Sequence, residues 1–247
     1  MDSRYYKEYS RYLDRDMEFK MYGNEGMLCL VIPCQDGRFF EWEDRGMYDL
    51  LQPLMDEGRI QFVSIDTIDK ETWSSYGPSS QRMSLQENWI NYIINELIPS
   101  ALEKAGKSVD EPVMVMGASM GGTHAANLFL RFPQKFTRVL AMSAVYELSG
   151  YIYDNDFDGN FYQNCPLAYL PNMSVEHEYI KLYNGNKGFF IVGKGAWEEQ
   201  TGADLVKLQD VFLRKGIDLN CYWWGPETPH DWPSWEKQIQ YYVPLLV

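Results

Sequence analysis

Ser119 lies in Gly117-Ala118-Ser119-Met120-Gly121-Gly122, directly after the apolar run Val113-Met114-Val115-Met116 and directly before a helix-like segment, His124 to Phe132. A buried strand, a glycine-flanked turn and a helix, in that order, lift a serine hydroxyl above a sheet edge, where it can attack an acyl carbon. The turn holds its central residue in a strained backbone conformation, and neighbours without a Cβ relieve the crowding. The Met120 N–H then opens the helix facing the same space, placed to bind a developing oxyanion. A bare Gly-x-Ser-x-Gly also arises by chance in loops; here the strand before it and the helix after it give it a context.

A serine hydroxyl is a weak nucleophile at neutral pH and needs a base beside it. The chain has 3 histidines. His124, five residues past Ser119, runs along the helix and is expected to pack. His177 falls in a polar stretch and is expected to be solvated. His230, in Trp224-Gly225-Pro226-Glu227-Thr228-Pro229-His230-Asp231-Trp232, follows the last predicted strand. There it completes the chain order nucleophile, acid, histidine. The acid must fall after the preceding strand, in Lys194-Gly195-Ala196-Trp197-Glu198-Glu199-Gln200 or just beyond. Glu198, Glu199 and Asp204 are the candidates, with Asp204 set farther into the next helix. These residues by themselves do not decide which carboxylate turns inward to hold the histidine. A second oxyanion N–H is expected from Pro33-Cys34-Gln35-Asp36-Gly37, with Gln35 the first choice and Asp36 the next.

The elements that must position these groups are legible from periodicity. Residues 1–15 read as an irregular or short helical lead-in. Met17–Tyr22 alternates as an edge strand, and Met27–Ile32 is a buried strand closed by Pro33. A helix is expected over Met47–Met55, a strand over Ile60–Ile65, and a helix from Ser84, where Ser84-x-x-Glu87 matches a capping box. After the Ser119 unit come a strand at Arg138–Met142 and an excursion over 144–184 rich in Tyr, Asn, Asp and Pro. Then follow a strand at Phe189–Val192, a helix from about Ala203 to Lys215, a strand at Leu219–Trp224 and a helix after Pro233. Strands alternating with helices specify an α/β class: a doubly wound, mostly parallel sheet with helices on both faces, whose function gathers at the carboxyl ends of the strands.

Length and charge narrow the possibilities. The 247 residues, 45% hydrophobic, suffice for one substantial core, and a single domain over 1–247 is expected, with 144–184 as a cap-like insertion. The net charge of −13 repels phosphate backbones and anionic membranes, so neither nucleic acid nor a membrane is an expected partner. Met1-Asp2-Ser3-Arg4-Tyr5-Tyr6 carries no apolar signal-peptide core. The four cysteines, Cys29, Cys34, Cys165 and Cys221, show no metal or redox spacing. A cytoplasmic protein with reduced thiols is therefore expected. Asp154-Asn155-Asp156-Phe157-Asp158-Gly159 matches the first half of a calcium loop, but its twelfth position is Cys165 instead of glutamate, so a plain turn-rich loop is expected.

With these pieces in place, the chain resembles the esterase D, feruloyl esterase and antigen 85 type of α/β-hydrolase. The resemblance runs from about Met17 to the C-terminus. It is carried by Gly117-Ala118-Ser119-Met120-Gly121-Gly122, by Leu97-Ile98-Pro99 at the helix end before the strand, and by His230-Asp231-Trp232 with Trp235. It implies the α/β-hydrolase fold and a triad of Ser119, a carboxylate in 198–204 and His230. The family's usual Gly-x-x-Asp is absent, because Ala196 stands three residues after Gly193. Matching the distance to the downstream histidine favours Glu199, with Glu198 as the fallback. Cys34-Gln35-Asp36-Gly37 replaces the family's usual His-Gly.

The expected activity is hydrolysis of a small-molecule or carbohydrate-linked carboxylic ester, with no cofactor and no metal, through an acyl-enzyme. Trp197 and Trp232 are expected to contact substrate. Two alternatives use the same fold. One is a silent binding protein holding its ligand on Tyr151, Tyr153, Phe157, Phe161 and Tyr162; the other is an acyltransferase using the same residues. Oligomeric state is not legible in the sequence.

Overall fold

Eight strands build the sheet: β1 (Ser3–Ser10), β2 (Arg15–Tyr22), β3 (Met27–Ile32), β4 (Ile60–Ile65), β5 (Val113–Ala118), β6 (Phe136–Met142), β7 (Lys187–Val192) and β8 (Asn220–Trp223). The structure is a computed structural model and describes residues 2–247. The strands lie in the order β1-β2-β4-β3-β5-β6-β7-β8. β1 and β2 pair antiparallel, as do β2 and β4, and every pair from β4 onward is parallel. This is the mostly parallel, doubly wound sheet that the periodicity predicts.

Alternation along β5 shows how the two layers form. Val113 and Val115 enter the core under the helices Ser79–Tyr92, Met120–Arg131 and Glu199–Lys215, where Trp89, Phe129 and Phe212 pack. Met114, Met116 and Ala118 enter the opposite core, with Trp42, Tyr48, Trp235 and Ile239. A strand buried on both faces reads as a continuous apolar run for this reason. A third, small cluster joins Trp73, Leu148, Ile152, Phe161 and Cys165 to Met120, so the 144–184 excursion packs directly on the residue after Ser119.

Several expected elements differ. The lead-in is strand β1, whose Tyr6 stacks on Phe19 at 5.1 Å and whose Glu8 accepts a hydrogen bond from Ser100 at 2.8 Å. Its inward face is polar and aromatic, so no apolar alternation announces it. The expected 47–55 helix is broken into Met47–Leu50 and Gln52–Asp56. The helix expected from Ser84 begins at Ser79, where the Asp154 carboxylate accepts from the Ser79 N–H at 2.8 Å. That cap lies 75 residues away in the chain, beyond the reach of any local signature. The Ser79 hydroxyl first, and its N–H second, lower the Asp154 carboxyl to about 2. Glu87 is no capping-box residue; it accepts from Arg131 at 2.7 Å. Nor does the helix end at Leu97-Ile98-Pro99. It passes through a π-helical turn, Ile93–Leu97, into Ile98–Lys104, which accommodates the missing N–H of Pro99. The last helix starts at Trp232, two residues before the expected start after Pro233.

Asp154 and Asp158 of the calcium-like stretch act as helix caps, Asp158 accepting from the Phe161 N–H at 2.7 Å. Among the described residues no group of three or more His, Cys, Asp or Glu is arranged to hold a metal ion, and no helix is long and apolar enough to cross a membrane.

Candidate active site

The turn after β5 holds Ser119 at φ 56 and ψ −129, a conformation that L residues adopt only where the surroundings enforce it. Two constraints do so. The Ser119 N–H donates to the Met142 carbonyl of β6 at 2.9 Å. The first turn of the helix also lies on the end of β3, so closely that a Cβ on Gly121 would stand 2.3 Å from the Pro33 carbonyl oxygen. Only glycine fits there.

His230 comes from the loop after β8. This loop is in backbone contact with the one after β7: Gly195 donates to the Thr228 carbonyl at 2.9 Å and His230 to the Ala196 carbonyl at 2.9 Å. A Cβ on Gly193 would fall 1.9 Å from the Thr228 oxygen, so this approach too depends on glycine. Trp235, one turn into the C-terminal helix, sets its ring edge to face against the imidazole at 5.2 Å. His230 Nε2 is 3.0 Å from Ser119 Oγ, and Nδ1 is 3.2 Å from Glu198 Oε2. With the Nδ1 proton donated to the carboxylate, Nε2 is left to accept from the serine hydroxyl.

The carboxylate on His230 is Glu198, not the favoured Glu199. Trp197 at φ 70 turns the chain so that Glu198 points inward, and Glu199 is exposed at the start of its helix. Glu198 is 3% exposed, and Ser143, Thr201 and the Gly193 N–H also donate to it, at 2.5, 2.5 and 3.4 Å. Ser143 in turn accepts from Trp235 Nε1 at 2.9 Å. Burial pushes the Glu198 carboxyl up, but the hydrogen bonds from His230, Ser143 and Thr201 together outweigh it and hold the group below its ordinary value. Ser143 and Thr201 went unnoticed in the sequence. Thr201 had a signal: three residues after Glu198, one helical turn, it returns a hydroxyl to that carboxylate, whereas the equivalent partner of Glu199 is Gly202.

A pH dependence follows from the lowered carboxyl. Glu198 favours the folded state fully above the unfolded value of about 4.3, and the contribution is lost as pH falls through the lower folded value. In denaturant titrations the stability advantage of the wild type over Glu198→Gln is expected to be largest near neutral pH and to shrink below about pH 4.

The other candidates sort by geometry. Met120 opens its helix, where an amide has no intrahelical acceptor. In the Pro33–Gly37 loop, the Cys34 N–H is occupied by Glu41 Oε2 at 2.7 Å, while the Gln35 side chain donates to Ser74 at 2.7 Å. Burial, then the nearby Glu41 carboxylate, pushes the Cys34 thiol well up, so it is no rival nucleophile. Asp204 accepts from the Tyr146 and Glu147 N–H groups at 3.1 and 3.0 Å and is committed to holding the excursion. His177 is exposed and caps its own helix through Nδ1. His124 is buried as expected, although it faces Asp69 at 2.9 Å instead of purely apolar neighbours. Trp197 is 81% exposed, one residue from Glu198. Trp232 is half-buried against Trp42 and Trp235, with the Arg45 guanidinium 5.0 Å over its ring.

Comparison with known proteins gives the same architecture. The structure of a ferulic acid esterase superposes with a TM-score of 0.77 at 15% identity, covering 99% of this chain and 97% of that one. An S-formylglutathione hydrolase from Staphylococcus aureus gives 0.70 at 15% identity, covering 99% and 96%. MPT51 from Mycobacterium tuberculosis gives 0.73 at 13% identity, covering 98% and 97%. At such identities the likeness shows the fold, that of the α/β-hydrolases. A search of curated protein sequences finds no match. The family model described as "Putative esterase" matches residues 10–243. The chain therefore belongs to that esterase family and has the α/β-hydrolase fold.

Proposed function

We propose that the protein hydrolyses small-molecule carboxylic esters through a Ser119–His230–Glu198 triad. The observation that carries this reading is the unbroken hydrogen-bonded chain from Ser119 Oγ through both ring nitrogens of His230 to a buried carboxylate. His230 Nε2 takes the Ser119 proton as Oγ bonds to the acyl carbon, and the carbonyl oxygen becomes an oxyanion. The N–H groups of Met120 and Gln35 bind that oxygen. When the tetrahedral intermediate collapses, the C–O bond to the alcohol breaks and Nε2 returns the proton to the leaving alkoxide. Water repeats the sequence on the acyl-enzyme, releasing the acid and freeing Ser119. Glu198 keeps the Nδ1 proton in place and stabilises the imidazolium that forms in each half.

The acyl or alcohol group has an apolar surface to lean on in the exposed indole of Trp197, whereas the Trp232 ring is taken up by its neighbours. A fluorophosphonate probe tests the reading directly, because phosphonylation needs an activated hydroxyl. Labelling of the purified protein, located at Ser119 by peptide mass, is the expected outcome. Folded protein that stays unlabelled would favour the silent binding reading instead.

A further inference from the structure

We propose that Asp69 and His124 are positioning residues that lock the Pro33–Gly37 loop to the helix beginning at Met120, and so fix the two oxyanion donors relative to each other. The inference rests on the ester-hydrolysis reading above. It starts from a buried acid–imidazole pair outside the triad. Asp69 is 1% exposed and His124 3%, and Asp69 Oδ1 lies 2.9 Å from His124 Nε2. Trp89 covers the imidazole with ring centroids 4.9 Å apart. A buried carboxylate is costly unless every oxygen is engaged, and removing its partner costs more than the pair contributes.

The second oxygen shows what the pair holds. Asp69 Oδ2 accepts from the Asp36 N–H at 3.4 Å, and Asp36 sits at φ 62, a left-handed conformation that a non-glycine residue keeps only under constraint. The Asp36 carboxylate accepts from Ser74 Oγ at 2.8 Å, and Ser74 Oγ accepts from Gln35 Nε2 at 2.7 Å. The Ser74 N–H donates to the Asp69 carbonyl at 2.8 Å. Gln35 and Asp36 are thus tied through Ser74 and Asp69 to His124, which stands one helical turn beyond Met120. The approach of Gly121 to Pro33 brings the same loop and helix together at one point; the Asp69–His124 contact secures them at a second. An oxyanion hole works only when its donors stand within hydrogen-bond distance of one developing charge, so a small shift of the loop lowers turnover without weakening substrate binding.

The test uses the full chain with p-nitrophenyl acetate and a fluorophosphonate probe, comparing His124→Leu with His124→Gln, whose amide can still donate to Asp69. His124→Leu is expected to lower kcat roughly 10–100-fold with KM within about threefold, and to slow labelling of Ser119 by a similar factor. His124→Gln is expected to recover kcat to within about fivefold of wild type, since it restores the hydrogen bond and not the ring. A folded His124→Leu protein with wild-type kcat, or equal losses in the Leu and Gln variants, would overturn the proposal. If His124→Leu does not fold, the half-buried Ser74→Ala variant decides, because it cuts only the ties to Gln35 and Asp36. It should lower kcat about 3–10-fold at constant KM, and unchanged kcat refutes the lock. An active wild type with unaffected variants removes this inference alone, whereas a wild type that neither turns over nor labels removes the ester-hydrolysis reading and this inference with it.

Discussion

Ser119→Ala is expected to cut kcat for a short-chain aryl ester such as p-nitrophenyl acetate on the order of 10³-fold or more, with KM and thermal stability close to wild type. In the proposed mechanism the substitution removes the one atom that bonds to the acyl carbon and leaves the Met120 and Gln35 amides in place. Any residual rate therefore reports oxyanion binding and substrate orientation alone. Stability should barely change, because alanine at φ 56 is strained about as much as serine, and the hydroxyl contributes one contact, to His230. Steady-state kinetics beside a melting curve separate the two effects. An alanine variant with full turnover would mean that another group is the nucleophile.

The second large effect is a contrast between adjacent residues. Glu198→Gln is expected to lower kcat roughly 10³–10⁴-fold, while Glu199→Gln should stay within about twofold of wild type. A glutamine amide facing His230 Nδ1 can present an N–H where a carboxylate accepted one, which turns the imidazole toward the wrong tautomer and removes the charge that stabilises the imidazolium. That amide nitrogen also replaces the oxygen to which Thr201 donates, while Ser143 keeps the other. Glu199 is exposed at a helix start, where loss of its charge removes a small dipole interaction. Kinetics of the two variants under identical conditions check the assignment; a crippled Glu199→Gln with an intact Glu198→Gln would reverse it.

How far the chain disclosed this arrangement depends on whether the signal was local. The Ser119 turn and its flanking strand and helix were legible because each rests on neighbours in sequence: an apolar run, glycines at fixed offsets, a helix start. His230 was legible by elimination among three histidines and by its place after the last strand. The carboxylate was not, since Glu198 and Glu199 differ only in the direction imposed by the left-handed Trp197, and spacing to a distant histidine cannot resolve one residue. β1 was missed because its inward face relies on Tyr6 and Glu8, whose contacts lie on β2 and a distant helix. The start of the Ser79 helix was missed because its cap, Asp154, belongs to another part of the chain. The direction of Glu198 turns on the backbone of its neighbour, and the other two elements on contacts remote in the chain; periodicity records neither.

The three groups at the carboxyl ends of β5, β7 and β8 also bear on how the protein acquires competence during folding. The hydrogen bond between Ser119 and His230 joins residues 111 apart in the chain, and that between His230 and Glu198 spans 32. Neither can form until parallel neighbours with long crossovers have found their register, the slow class of contact in folding chains. Helical content can therefore return early on refolding while the serine remains inert, because an isolated turn around Ser119 has no base beside it. On the proposed triad, competence belongs to the assembled sheet and not to any one segment of the chain.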